Sequence, residues 1–365
     1  MYGEYQNPIF KYKEVLSPGY IPDHLPNRMD EVKAISQLIY ESLEGKTSHI
    51  LITGPPGTGK TVSIRFIFQK LEEETNALAC YVNCFQRNTR MGALYSMFLD
   101  FYKKKRPTRR MPSRRGIAYD ELMDSFCEEI KKANTKVVLC LDEIDQLLPR
   151  GGRLLYDLSR LRMENIPVQI IAISNDPFVF KDLDSRARSS LYPIEQITFE
   201  PYTREQMREI IKARVEAAFQ EGVVTKKAID FLADYTADKD GDVRIARETL
   251  LRAGEIACRE GDGKVTLGHV KEVLNHSRFA KSLTILKGIS KKERFILRLI
   301  PKEGVYYPQF YRFYKSVDGQ LGDRMLRNYM EKFQRLKLVN MERRGIGGSY
   351  LIKLKVPRDI LFEMS

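Results

Sequence analysis

The sequence is poor in the groups that cross-link a chain or hold a metal. Its five cysteines (Cys80, Cys84, Cys127, Cys140 and Cys258) are odd in number and contain no C-x-x-C pair. Neither a disulfide framework nor a zinc ribbon fits that pattern, and buried reduced thiols are expected. The four histidines (His24, His49, His269 and His276) are scattered, without metal or triad spacing. No apolar run reaches the about 18 to 20 residues that span a bilayer. The opening "MYGEYQNPIF" lacks the basic-then-apolar layout of a secretory signal. A cytoplasmic protein with no membrane partner is the expectation. There is no internal repeat.

Positive charge is what the sequence has in excess, and it is unevenly placed. The formal net charge is +13 over 365 residues, and positions 281 to 365 hold 19 basic and 8 acidic side chains. The stretch "KKKRPTRRMPSRR", positions 103 to 115, holds eight basic residues, no acidic one and two prolines. The remainder is mildly acidic. Two separated basic regions on such a body point to two contacts with a polyanion. A hydrophobic share of 43% and this length imply a folded chain of two or three domains.

The periodicities divide the chain. "LSPGYIPDHLPNR", rich in proline, reads as an extended strap, and "EVKAISQLIYESLEG" as an amphipathic helix ending at glycine. "SHILITG", "LACYVNC", "KVVLCLDE" and "VQIIAISN" are short β-rich runs separated by helical stretches, which predicts an α/β parallel sheet covered on both faces. After Tyr192 only helical patterns follow, with no strand between them. From about Leu283, three helical patterns and two alternating strands around a glycine-rich turn predict a winged helix. The expected domains are 1–196 for the core, 197–280 for a helical lid and 281–365 for the winged helix.

"GPPGTGKT", Gly54 to Thr61, satisfies G-x-x-x-x-G-K-[ST] between a predicted strand and a predicted helix. Gly57, Thr58 and Gly59 let backbone N–H groups converge on phosphate oxygens, Lys60 reaches the β and γ phosphates, and the Thr61 hydroxyl suits Mg²⁺. "VVLCLDEID" ends an apolar strand in Asp142, which would orient the Mg²⁺ shell, and Glu143, which would polarise water. Asn175 ends the next strand and would position that water.

The order of this loop, "LDEID", "AISND", "LDSRARSSL" and "GDVRIAR" resembles an AAA+ ATPase. More narrowly, the strap, the "SSL" after the arginines and the C-terminal winged helix resemble the archaeal initiator family related to the largest subunit of the origin recognition complex. The resemblance covers essentially the whole chain and implies further roles. Leu16, Pro26 and Arg28 in the strap would close over the adenine, and Tyr202 would join the nucleotide site. Arg244 would be a second sensor reaching the γ-phosphate. Arg186 would be an arginine finger for a neighbouring paralogous initiator subunit, with Arg188 a weaker match. Serine stands at Ser185 where the family usually has proline.

The family also carries DNA-touching helices after its second strand, where the basic stretch lies here. Lys104, Arg109, Arg110, Arg114 and Arg115 are its candidate phosphate contacts. In the winged helix, Arg324, Arg327 and Lys332 lie on the expected recognition helix, and Arg343 and Arg344 on the wing. The implied function is replication initiation: ATP-regulated binding of origin double-stranded DNA, slow hydrolysis as a switch, ATP/ADP and Mg²⁺ as cofactors, and recruitment of the replicative helicase. A DNA motor such as a branch-migration helicase shares the layout and is the alternative. A transcription regulator using nucleotide only structurally is a third.

Overall fold

Five short strands form a wholly parallel sheet: β1 (His49–Thr53), β2 (Leu78–Asn83), β3 (Val137–Asp142), β4 (Val168–Ile173) and β5 (Ile194–Thr198), in the order β2-β3-β4-β1-β5. These come from a computed structural model that describes residues 8–46, 48–105, 111–301, 303–317, 319–336, 338–343 and 349–355, with the backbone course alone for 162–163, 277–285 and 287. Alternate side chains leave the strands on opposite faces, and each face has its own helices. Ile50, Ile52, Val138, Cys140, Ile171 and Ile173 pack with α1 (Met29–Leu43) and α2 (Lys60–Glu74). Cys80, Val82, Leu139, Leu141, Ile170 and Ala172 pack with α3 (Arg90–Lys105), α4 (Tyr119–Ala133) and α5 (Leu148–Arg160). Four of the five cysteines are buried free thiols in this core, and Cys258 is partly exposed.

The strand order positions the site. Because β4 lies between β1 and β3, the loop after β1, the residues after β4 and the acids after β3 are neighbours at one sheet edge. β5 was not expected. It pairs with β1, from His49↔Ile194 to Thr53↔Thr198, and only Ile194 and Ile197 of its side chains are half-buried, the others being exposed. An edge strand reading "IEQIT" offers too few apolar residues to announce itself. It also straddles the expected core–lid boundary.

Beyond a short α6 (Ser185–Ser190) come three lid helices, α7 (Arg204–Ala218), α8 (Lys226–Ala237) and α9 (Val243–Glu260). Thr203 and Gln206 form a reciprocal capping box on α7, and Asp242 caps α9 through the Arg244 N–H. The strap crosses to the lid: Lys11 N–H donates to Ala218 O, Gln220 N–H to Ile9 O, and the Phe10 and Phe219 rings lie 4.9 Å apart.

The chain divides into two compact units, Met1–Leu267 and Gly268–Ser365. A single helix, α10 (Leu267–Gly288), runs through the boundary expected at 280/281. The second unit continues with α11 (Lys291–Arg298), α12 (Tyr307–Val317) and α13 (Asp323–Arg335). A three-stranded antiparallel sheet of β6 (Val305–Tyr306), β7 (Val339–Arg343) and β8 (Tyr350–Leu354) completes it, in the order β6-β8-β7. Leu326, Met330 and Phe333 repeat at helical spacing on α13 and join Ile296, Phe310, Tyr314 and Ile352 in its core. Among the described residues, no helix is long and apolar enough to cross a membrane.

Phe126 sits between Phe98 (5.5 Å) and Phe101 (5.9 Å), ring centroid to centroid, and is fully buried. Phe126→Ala should therefore destabilise the first unit by about 3–5 kcal/mol in urea unfolding. A loss below about 1 kcal/mol would show that the face collapses around the gap.

Candidate nucleotide site

The loop between β1 and α2 wraps the end of the Lys60 side chain. Its ammonium donates to Gly54 O (2.6 Å), Pro55 O (2.8 Å) and Asn175 Oδ1 (3.0 Å). Burial lowers the Lys60 pKa to about 8, with the nearby Asp142 charge pulling the other way. Asn175 comes from the end of β4, so strand order and loop together fix this cation. Thr61 donates to Asp142 Oδ2 at 2.7 Å, and Tyr81 OH donates to the same oxygen at 2.6 Å. The other carboxylate oxygen accepts the Glu143 N–H at 2.9 Å. Glu143 itself has a left-handed backbone, φ 55°, and burial together with Asp142 and Asp145 raises its pKa. A carboxylate held like this is a stronger base than a free one.

Two glycines are dictated by close approach. Gly54 has φ 142°, and a Cβ there would lie 2.2 Å from Phe199 O. Gly57 has φ 79°, and a Cβ there would lie 2.0 Å from Asp242 Oδ1. The lid thus touches the loop directly, and Val243 N–H donates to Gly57 O at 3.3 Å.

A cavity of about 380 Å³ opens over this edge. Gly57, Gly59, Lys60, Thr61, Asp142, Glu143, Asn175, Pro26, Tyr202 and Arg244 all line it, together with strap residues 17–22. Three residues expected at the nucleotide, Leu16, Thr58 and Arg28, stand elsewhere. Leu16 is buried where the strap meets α7 and α9, away from the cavity wall. Thr58 is buried under the loop, donating to Pro55 O at 2.9 Å.

Arg28 does not line the cavity; it braces the loop. It is 4% exposed, donates from Nε to Thr58 O (2.9 Å) and from Nη2 to Glu200 O, and pairs with Glu31 (2.7 Å). Its guanidinium lies over the Tyr202 ring at 4.0 Å. Arginine suits this place because one planar group makes all these contacts. Arg244 is turned onto Asp242, with Nε at 2.9 Å and Nη2 at 2.7 Å from its two carboxylate oxygens. Arg186 is exposed on α6, outside this cavity.

Sequence patterns missed Tyr81, Arg214 and Arg247. Arg214 lies over the Tyr20 ring at 5.1 Å and donates to Val15 O, and Arg247 reaches Ser17 O at 3.5 Å; both line the cavity and hold the strap. Each sits on an amphipathic lid helix where arginine ordinarily faces water, so no local signal marked it. Asp242 was missed as well, although an acid directly preceding the apolar-periodic run of α9 is a helix-cap signal.

The DNA candidates fare unevenly. Lys104 is not a free phosphate contact: its ammonium is held by Glu72 (2.8 Å), Asp100 (3.6 Å) and the Ala79 carbonyl. Arg114 and Arg115 are exposed ahead of α4, while Arg109 and Arg110 lie outside the described residues. Arg324 is exposed on α13. Arg327 pairs with Asp323 (2.8 Å) and covers the Tyr307 ring (4.6 Å), and Lys332 is bound to the buried Glu293 (2.5 Å). Arg343 is exposed at the end of β7, and Arg344 lies outside the described residues.

A phosphate loop, a strand ending in two acids and a lid arginine around one cavity define a AAA+ nucleotide-binding ATPase. Residues 43–176 match the family described as "AAA domain", and residues 208–275 match "Cdc6 AAA+ ATPase-type lid domain". An "ORC1-type DNA replication protein 1" of Methanosarcina mazei is 30% identical over 97% of this chain and 91% of its own length. An "ORC1-type DNA replication protein" of Thermococcus onnurineus is 34% identical over 85% of this chain and 77% of its own. Among solved structures, the Aeropyrum pernix ORC1 protein in complex with DNA aligns over 98% of this chain and 96% of its own, with 26% identity and a TM-score of 0.69. The chain belongs to the ORC1-type DNA replication protein family.

Arg28→Lys should weaken nucleotide binding about tenfold and cost about 1.5–3 kcal/mol of stability, though Arg28 does not line the cavity. Calorimetric titration and thermal melts of the same sample check this. Wild-type affinity in the variant would remove the bracing role.

Proposed function

We propose that this protein is a replication initiator that binds origin duplex DNA under control of its bound nucleotide and helps to recruit the replicative helicase. The observation that carries the control is the contact between the lid cap Asp242 and the loop at Gly57. A lid that rests on the phosphate loop has to respond to what the loop holds. Family membership favours the initiator over the motor.

In this reading ATP enters with its phosphates on the loop N–H groups and Lys60. Asp142 and Thr61 offer two hard oxygen donors side by side, a set that fits Mg²⁺, and the ion would neutralise phosphate charge there. Glu143 takes the proton of the attacking water, and its raised pKa supports that role. Asn175, held against Lys60, orients the water. Arg244 leaves Asp242 to meet the γ-phosphate, which couples the lid to the ATP state. Arg186, exposed on α6, is offered to the nucleotide of a neighbouring paralogous subunit. Slow hydrolysis then resets the protein rather than driving movement.

The two basic regions serve the DNA. Arg114 and Arg115 are exposed, and the second unit has the three helices and strand hairpin of a winged helix. Arg324 on α13 faces solvent and would read base edges, with Arg343 of the wing against the backbone. The division into core, lid and winged helix at 1–196, 197–280 and 281–365 is retained as a functional one.

Each phosphate contact contributes about 0.9 to the slope of log affinity against log salt, so Arg114→Ala with Arg115→Ala should flatten it by about two. Nucleotide binding should be unchanged. Footprints across genomic DNA should fall on one or a few inverted repeats. Random coverage by the wild type, or an unchanged slope in the double variant, would contradict the proposal.

A further inference from the structure

Tyr81 has no part in the mechanism above, yet its phenol is bonded to one of that mechanism's acids. In the β2–β3 pair Tyr81 lies opposite Cys140 and Asn83 opposite Asp142. Tyr81 and Asp142 are therefore diagonal neighbours on one face of the sheet, within reach of a side chain as long as tyrosine. The phenol O–H donates to Asp142 Oδ2 at 2.6 Å, the oxygen that also accepts from Thr61 at 2.7 Å. The Arg65 guanidinium covers the ring, 4.7 Å from its centroid. Arg65 stands four residues after Thr61 on α2 and thus shares its helix face. The ring is pinned between sheet and helix, and its hydroxyl is aimed at the acid.

Asp142 is 3% exposed, so water does little to order its carboxylate. The Glu143 N–H fixes one oxygen. The other is shared by Thr61 and Tyr81, and Thr61 is itself needed as a ligand. A carboxylate that holds a metal requires donors that remain when the metal arrives, and loss of such a partner typically costs 10–100-fold in metal affinity.

We propose that Tyr81 is a positioning residue for the divalent cation of the nucleotide complex, holding the Asp142 carboxylate so that Asp142 and Thr61 face the ion together. This rests on the ATP-site reading. Tyr81→Phe removes only the hydroxyl and keeps the ring under Arg65.

The experiment is equilibrium binding of a non-hydrolysable ATP analogue to the full chain, in EDTA and over a magnesium titration, with melting curves alongside. The magnesium midpoint of Tyr81→Phe should rise about tenfold or more, while its affinity in EDTA and its melting temperature match the wild type. An unchanged midpoint would overturn the proposal. So would an equal loss of affinity with and without magnesium, which marks a packing role. If the wild type gains nothing from magnesium, the ATP-site reading fails and takes this proposal with it.

Discussion

The lid rests on the phosphate loop through one carboxylate. Asp242 caps α9, binds Arg244 and lies so near the loop backbone that only glycine fits at position 57. Three functions of one side chain thus meet at a single point. A cap held in this way fixes the start of α9, and the start of α9 carries the arginine proposed to sense the γ-phosphate. Anything that displaces the loop displaces the lid as well. The strap adds a second tie, since Arg214 and Arg247 hold it from α7 and α9.

The chemistry is assembled by strand order rather than by proximity in sequence. Lys60 follows β1, Asp142 ends β3 and Asn175 follows β4, and inserting β4 between the other two brings Asn175 onto Lys60. The same edge concentrates acids, and burial with like charge raises the pKa of Glu143 while burial lowers that of Lys60. Both shifts have burial as their largest cause, which disfavours the charged form of acid and base alike.

Much of this was legible from local pattern. The phosphate loop and the acids of β3 are each set by a short run whose chemistry is local, so they read directly. Arg28 was visible as a strap residue but not as a brace, because its partners Thr58 and Glu200 are distant in sequence. Lys104 and Lys332 counted as free charge until folding gave them Glu72 and Glu293. Charge patterning reports how many basic groups a segment has, and only the tertiary fold decides which remain available. Tyr81 left no trace in any motif, since its bond to Asp142 exists only through the pairing of β2 with β3. The edge strand β5 was lost for the converse reason: with one paired side and a half-exposed face, it lacks the apolar run that marks a buried strand.

The central claim is that Arg244 exchanges Asp242 for the γ-phosphate and so lets the lid distinguish ATP from ADP. Paired affinities of Arg244→Ala for ADP and for a non-hydrolysable ATP analogue, measured by calorimetry, test it most directly. The account predicts that analogue binding weakens about tenfold or more, as expected when a charge-assisted hydrogen bond is lost, while ADP binding stays near the wild-type value. Equal losses for both nucleotides would contradict it and leave Arg244 as the partner of Asp242 alone.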